Sequence, residues 1–286
     1  HAPGQSVAHL AYLALFALQH RGQESAGLAV SDGAELFLYK DLGMISSVLD
    51  ERRLPSFRGD LAIAHCRYST TGSTIWENAQ PTLRLGPRRA VAIGHNGNLV
   101  NAEQLRRDLE QDGAVFQSSS DTEVIPHQYE EDGEDCVTRF NGMFSFVLWD
   151  RRRRRLLAAR DRMGIKNLYY YVTPKKLILA SEIKAILEDP DVERAVDPQA
   201  LVDYAFCGRA LGGKTMFRNI REVEPGHMLC VDLESGRPLI KKYWQPRHNY
   251  NRSRSDEAVK EELFYLLDES VKVHCRSDAS LGCHLS

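Results

Sequence analysis

The sequence lacks a strong charge of either sign. Its 286 residues carry a formal net charge of −2 at pH 7, from 37 lysines and arginines against 39 acidic residues. Such a balance gives no global electrostatic reason to expect nucleic acid or an anionic membrane as a partner. We therefore predict neither, and small, neutral or mixed-charge ligands remain open.

Long apolar runs are lacking as well. The longest, from Val7 to Leu18, holds twelve residues including one histidine, whereas a helix needs about 20 to span a bilayer. The opening His-Ala-Pro-Gly-Gln-Ser contains neither the basic segment nor the cleavage site of a signal peptide. These absences predict a cytoplasmic protein without a membrane span.

Cysteines are few and do not occur in pairs. The six are spread along the chain without the regular spacing of a disulfide framework, which is typical of a reduced compartment. The neighbouring soft ligands His274-Cys275 and Cys283-His284 match no usual zinc pattern. We expect free thiols, no metal site and no cofactor in this chain.

Short apolar runs separated by turn residues alternate in blocks with helical patterns. The strand-like runs cover residues 27–30, 35–39, 61–65, 90–94, 144–149, 156–159, 168–172 and 177–180. The helical patterns cover residues 7–18, 102–111, 122–130, 182–188, 198–206 and 257–273. This order predicts an α/β (α+β) fold in which helices cover packed sheets, rather than a doubly wound parallel sheet.

A polar, proline-containing stretch marks the best candidate for a domain boundary. We predict one large domain over residues 1–240, a linker over residues 241–256, and the beginning of a second domain over residues 257–286.

Arg67 ends an apolar strand just as the chain turns into small hydroxyl residues. An arginine in this position can bind a carboxylate with its planar fork, although an ordinary surface or ion-paired arginine is equally compatible with the segment alone. Its neighbour Cys66 should face the opposite side of the strand, where a buried and inert thiol is expected.

Two further segments carry groups of catalytic interest. Asn96 and Gly97 end an apolar run, and their N–H groups could hold an oxyanion, although an Asn-Gly pair is also typical of a hairpin turn. Asp121 precedes a helix and could bind an ammonium group. Alternatively, it adds only first-turn charge next to a capping box formed by Ser120 and Glu123.

Together, these groups describe a pocket for the two charged ends of an amino acid and for one oxyanion. Their order along the chain resembles class II glutamine amidotransferases. Five runs are similar to amidophosphoribosyltransferase, at residues 18–27, 67–72, 77–81, 95–98 and 120–125. From about residue 126 on, the chain is instead similar to glutamine-hydrolysing asparagine synthetase, at residues 136–150, 160–166, 180–185, 224–227, 243–244 and 276–286. A recombined or mis-joined sequence and a natural family with mixed features both remain open.

The resemblance implies a four-layer αββα sandwich of the N-terminal-nucleophile type, followed by the start of a synthetase domain. Its implied glutamine site comprises Arg67, Tyr68, Ser69, Thr70, Thr71, Asn96, Gly97, Asn98 and Asp121, with Asn96 and Gly97 forming the oxyanion hole. The implied nucleophile is a cysteine about six residues before His1, whose own α-amine acts as the base. Leu285 and Ser286 would open a loop that binds ATP.

The synthetase resemblance favours asparagine synthetase, in which glutamine-derived ammonia reacts with aspartate activated by ATP, with magnesium implied for the synthetase domain. The alternatives are amidophosphoribosyltransferase of purine synthesis and a non-catalytic glutamine-binding fragment. We expect the 286-residue chain by itself to hydrolyse no glutamine. A homo-oligomer remains open.

Two remaining motifs favour plain structural interpretations. The run Arg151 to Arg155 joins two strand-like segments without interleaved aromatic residues, so it predicts a solvated hairpin tip rather than a nucleic-acid site. The segment Gly212 to Thr215 lacks the first glycine of a phosphate loop and predicts an ordinary loop.

Overall fold

The computed structural model describes residues 1–68, 74–86, 90–234, 236–250, 253–275 and 282. Its strands are β1 (Ser25–Ser31), β2 (Leu36–Leu42), β3 (Leu61–Arg67), β4 (Thr82–Leu85), β5 (Ala90–Leu99), β6 (Gly142–Asp150), β7 (Arg155–Arg160), β8 (Tyr169–Thr173), β9 (Lys176–Ala180), β10 (Ile220–Glu222), β11 (His227–Asp232) and β12 (Pro238–Lys242). Its α-helices are α1 (Ala8–Ala17), α2 (Ile45–Val48), α3 (Ala102–Gln111), α4 (Val124–Asp132), α5 (Ile183–Ile186), α6 (Pro198–Cys207) and α7 (Asp256–His274).

The strands form three antiparallel sheets. Sheet A has the order β2-β1-β3, sheet B the order β12-β11-β7-β6-β5-β4, and sheet C the order β10-β8-β9. Neighbouring residues of sheet B face opposite cores. Val91 and Ile93 pack beneath α3 and α4, whereas Ala92 packs against residues of sheets A and C. Sheet B is therefore a central layer covered on both faces.

The outer face of sheet A is covered by α1 and α2, which share a third apolar core with β1. The layers thus run from α1 and α2 through sheets A and C and then sheet B to α3 and α4. This is the four-layer αββα sandwich that the resemblance implied, and the predicted mixed α/β class is confirmed.

The strands and helices that the apolar periodicity predicted are present, with shifts of a few residues at their ends. One local expectation is wrong, because Asn96 and Gly97 lie inside β5 instead of in a hairpin turn. The arginine-rich segment does form the turn between β6 and β7, as predicted. The short strands β4, β10, β11 and β12 escaped prediction.

Sheets A and C are separated by a slot lined by α1, β3 and β9. Each of these two strands pairs on one side only within the described residues, β3 with β1 and β9 with β8. At one end of the slot, His1 and Leu177 exchange two backbone hydrogen bonds of 2.8 Å. Beside them, the Ala2 N–H donates to the Asp60 carbonyl at 2.8 Å. The slot encloses a mostly apolar cavity of about 210 Å³.

The chain after sheet B leaves the body of the molecule. Tyr243 still packs on the core beneath sheet B and its hydroxyl donates to the Arg160 carbonyl at 2.6 Å. Helix α7 contains no buried residue. In the described ranges, no helix has both the length and the apolar character needed to cross a membrane.

Candidate active site

Arg67 is buried, with 6% of its surface exposed, at the last position of β3. The surface-arginine interpretation is therefore wrong. Its neighbour Tyr68 is exposed, and both line a cavity of about 520 Å³ together with Asn96, Gly97 and Asp121. The structure thus brings five of the predicted glutamine-site residues to one cavity.

Asn98 is not among the described residues that line this cavity. Asn98 is buried in β5. Ser69, Thr70 and Thr71 lie outside the described residues, as do Leu285 and Ser286, so their assignments stay predictions.

The backbone of β5 turns the N–H of Gly97 away from β6. The register pairs Gly97 with Phe144, but Phe144 makes its backbone hydrogen bonds on its other side, with Asp161. In an antiparallel ladder, such a pair exchanges no hydrogen bonds, so the N–H of Gly97 points towards the opposite edge of β5. An N–H with this orientation can reach a ligand in the cavity.

Residues on either side of Gly97 confirm this orientation. The N–H of His95 donates to Gln80 Oε1 at 2.7 Å and the N–H of Leu99 donates to Asp121 Oδ2 at 2.9 Å. Because N–H groups two residues apart along a strand point the same way, the N–H of Gly97 lies between Gln80 and Asp121.

Glycine is required at position 97. A Cβ atom there would lie 2.1 Å from the Met143 carbonyl oxygen and 2.7 Å from Phe144 Cα, and the residue has φ of 155°. Close contact with the backbone of β6 thus excludes any side chain at this position.

Asn96 contributes a second donor to the site. Its Nδ2 is buried and has no hydrogen-bond partner among the residues that the structure describes. A buried amide without a partner is costly, so such groups are commonly kept for a ligand. Together, Asn96 Nδ2 and the N–H of Gly97 can stabilise one oxyanion.

Asp121 opens a short 3₁₀ turn, Asp121–Glu123, that leads into α4. The Ser120 hydroxyl caps this turn by accepting from the N–H of Thr122, whereas the Glu123 carboxylate accepts from the N–H groups of Gln117 and Ser118. The predicted capping box is therefore only half formed. Asp121 does more than add charge, because it fixes the end of β5 through Leu99.

The cavity contains charges of both signs. Arg21, Arg67 and Lys166 contribute positive charge, and Asp121 and Glu182 contribute negative charge. Arg21 Nη1 lies 2.9 Å from Glu182 Oε1, so part of this charge is paired within the protein. A mixed lining of this kind suits a zwitterionic ligand better than a uniformly charged one.

Arg21, Lys166 and Glu182 were not predicted as individual site residues. Arg21 belongs to the run at residues 18–27, and Lys166 and Glu182 to those at residues 160–166 and 180–185, through which the resemblance was noticed. The motifs thus carried the signal, but only the fold shows that these side chains share one cavity.

Cys66 is a poor nucleophile in this environment. Burial raises the pKa of its thiol to about 11, and Sγ donates to the Leu18 carbonyl at 3.4 Å. A thiol with this pKa is almost entirely protonated at neutral pH. In the described ranges, no cluster of three or more His, Cys, Asp or Glu side chains could hold a metal ion.

The sandwich and its cavity define a class of protein, the glutamine amidotransferases. Comparison with known sequences agrees, since the profile of the family described as glutamine amidotransferase domain matches residues 50–244. The chain belongs to this family.

Two curated relatives illustrate the range of the family. Amidophosphoribosyltransferase of Mycobacterium tuberculosis is 35% identical over 251 residues, which cover 82% of this chain and 42% of that protein. Asparagine synthetase 3 of Bacillus subtilis is 38% identical over 168 residues, which cover 58% of this chain and 27% of that protein. The first match extends far beyond residue 125, so similarity to amidophosphoribosyltransferase does not stop where the sequence motifs suggested.

A solved structure shows the same fold. The glutamine phosphoribosylpyrophosphate amidotransferase of B. subtilis, complexed with ADP and GMP, superimposes with a TM-score of 0.65 at 30% identity. The match covers 85% of this chain and 48% of that one. The chain thus spans less than half the length of these relatives.

Proposed function

We propose that the chain is the glutamine-hydrolysing part of a glutamine-dependent amidotransferase. The observation that carries this proposal is the cavity in which Arg67, the inward-facing N–H of Gly97 and Asp121 meet. In this arrangement, Arg67 binds the α-carboxylate of glutamine and Asp121 binds its ammonium group. One carboxylate oxygen of Asp121 accepts from Leu99, which leaves the other oxygen for the substrate.

The side-chain amide of glutamine would then lie beside Asn96 and Gly97. A thiolate adds to the amide carbon and the carbonyl oxygen becomes the oxyanion that Asn96 Nδ2 and the N–H of Gly97 stabilise. Collapse of this intermediate expels ammonia after protonation of its nitrogen. Water then hydrolyses the thioester to glutamate.

The register of the slot supports a nucleophile upstream of His1. Ala2 lies opposite Asp60, and His1 pairs with Leu177. A strand continued upstream between β3 and β9 would advance one residue along β3 with each step, so the sixth residue before His1 would come level with Arg67. The slot also meets the cavity, since Asn96 lines both.

The acceptor of the ammonia is proposed from the relatives. Amidophosphoribosyltransferases match more of the chain than the asparagine synthetase does, and we therefore favour phosphoribosyl pyrophosphate as the acceptor. The expectation of asparagine synthetase becomes the second candidate. It is supported by the 38% identity to asparagine synthetase 3 of B. subtilis, and it would require aspartate, ATP and magnesium. That candidate keeps the predicted domain boundaries at residues 240 and 256. It also keeps the predicted ATP-binding loop that Leu285 and Ser286 would open.

Extension of the chain tests the proposal. Six additional residues of the Cys-Gly-x-x-Gly type before His1 should give glutamate release from glutamine, whereas the 286-residue chain should give none. In the extended protein, Arg67→Ala and Asp121→Ala should each abolish the activity, and Cys66→Ser should leave it intact. The same two substitutions should weaken L-glutamine binding by the 286-residue chain. Glutamate release that depends on Cys66, or glutamine binding that survives both substitutions, would refute the assignment.

A further inference from the structure

Gln80 lies two residues before the start of β4 and completes the pairing of β5. Strand β4 reaches only as far as the pair Thr82 and Ile93. Beyond it, Gln80 Oε1 accepts from the N–H of His95 at 2.7 Å, and Gln80 Nε2 donates to the carbonyl of His95 at 3.1 Å. These are the two bonds that a backbone peptide makes in an antiparallel pair. The carboxamide of Gln80 thus replaces the next peptide of β4.

The carbonyl of His95 is held from a second direction. His65, on β3, places Nε2 3.0 Å from the same oxygen. Burial lowers the pKa of the His65 imidazole to about 4, so the ring is neutral and its Nε2–H donates. The carbonyl oxygen of His95 therefore accepts two hydrogen bonds, one from His65 of sheet A and one from Gln80. The peptide that joins His95 to Asn96 cannot rotate without loss of both bonds.

Thr122 fixes the carboxamide itself. Its Oγ1 lies 3.2 Å from Gln80 Nε2 and 3.1 Å from His95 Nδ1. Because Gln80 Nε2 can only donate to this oxygen, the Thr122 hydroxyl accepts from Gln80, and it also makes a hydrogen bond with the ring of His95. Gln80, His95 and Thr122 are all buried in the wall of the cavity, where a lost hydrogen bond is costly.

We infer that Gln80 and Thr122, which border the same cavity, are positioning residues for the oxyanion site and act through the backbone of β5. They clamp His95 on one side of Gly97, while Asp121 clamps Leu99 on the other. The direction of the intervening N–H is thereby set before a ligand arrives. Such preorganisation is what stabilisation of a developing oxyanion requires.

Gln80→Met tests this inference in the 286-residue chain, because it keeps the length of the side chain and removes its hydrogen bonds. Gln128→Met is the matched control, since Gln128 is also buried but its Nε2 donates to Asp132 on α4 instead of to a strand. Nuclear magnetic resonance would follow amide exchange at His95 and Leu99 and the shift of the Gly97 amide during titration with L-glutamine.

In Gln80→Met, exchange of the His95 amide should accelerate by about 100-fold relative to Leu99, and affinity for L-glutamine should fall about tenfold. The control should change neither. In an Asn96→Ala background, Gln80→Met should cost less affinity, because one of the two donors carried by the backbone that Gln80 holds is already gone. Thr122→Val should change His95 exchange and L-glutamine affinity in the same directions, by smaller factors. It replaces Gln80→Met as the test if Gln80→Met does not fold.

Unchanged exchange at His95, or an equal loss of affinity with and without Asn96, would overturn the inference. The inference relies on the proposed function only for the role of Gly97. If the unmodified chain bound no L-glutamine, the proposed function would fail, while exchange at His95 would still decide whether Gln80 holds the strand.

Discussion

Single residues at the cavity show how closely the chemistry depends on backbone position. Gly97 carries no side chain, yet the direction of its N–H is set by hydrogen bonds on either side of it in β5. Two residues before it, the N–H of His95 donates to Gln80, and two residues after it, the N–H of Leu99 donates to Asp121. Asn96 adds a buried amide on the adjacent position. The oxyanion site thus depends on the position of the β5 backbone together with one side-chain amide.

Substitution of Gly97 by alanine should therefore be severe. The added Cβ would overlap the Met143 carbonyl, and relief requires β5 to move away from β6. We expect a loss of about 3 kcal/mol or more in unfolding free energy, measured by urea denaturation, together with loss of L-glutamine binding. Gly113→Ala is the control, because Gly113 also has positive φ but open space around it, and it should cost only about 1 kcal/mol. Equal losses in the two variants would show that backbone conformation alone matters.

Individual strands and helices were partly readable from sequence. Short apolar runs located β5, β6 and β7, because each strand has two buried faces that must be filled. The Asn-Gly pair suggested a turn, since this dipeptide tolerates positive φ, and only the ladder with β6 shows that the strand continues. Gln80 belongs to the run at residues 77–81, but its role could not be predicted, because it depends on a hydrogen bond to a residue 15 positions further along the chain.

The turn that leads into α4 should respond to acid. Burial by itself would raise the pKa of the Glu123 carboxyl, but hydrogen bonds from neighbouring groups, among them Ser118 and Gln117, lower it to about 2. A carboxyl whose pKa is lowered on folding stabilises the native state above its unfolded pKa of about 4.5, and this stabilisation is lost as the pH falls towards 2.

Glu123→Gln should thus lower the unfolding free energy by up to about 3 kcal/mol at pH 6, and the difference from the unmodified chain should shrink between pH 4.5 and pH 2. Guanidinium denaturation of both proteins at a series of pH values measures this difference in unfolding free energy. Glu103→Gln, at an exposed carboxylate on α3, should show little difference at any pH. A pH-independent gap for Glu123→Gln would mean that the lost stability comes from packing instead of charge.

The whole molecule consists of a four-layer body and a C-terminal segment with little attachment to it. The layers were predictable only through the resemblance, because periodicity shows which residues are buried but not which sheet they face. Tyr243 and Trp244 fasten the end of the body, where both backbone N–H groups donate to the Gly226 carbonyl. Beyond them, α7 presents apolar residues such as Phe264 and Leu267 to solvent.

Two truncations should separate these parts. A chain that ends at Arg247 should melt within about 2 °C of the full chain, since α7 buries no side chain. A chain that ends at Lys242 also loses Tyr243 and Trp244, and should melt lower by roughly 5 °C or more. Calorimetry measures the melting temperatures of the two truncated chains and of the full chain. If the first truncation were as damaging as the second, α7 would have to pack on the body in solution.

The pairing of His1 with Leu177 also constrains the order of events during synthesis. The two residues are 176 positions apart, and translation at 5–20 residues per second takes on the order of ten to thirty seconds to cover that distance. Throughout this time, the beginning of the chain has no partner on β9. His1 is therefore secured only late in synthesis, and any catalytic group carried ahead of it would reach its place only when most of the sandwich had been made.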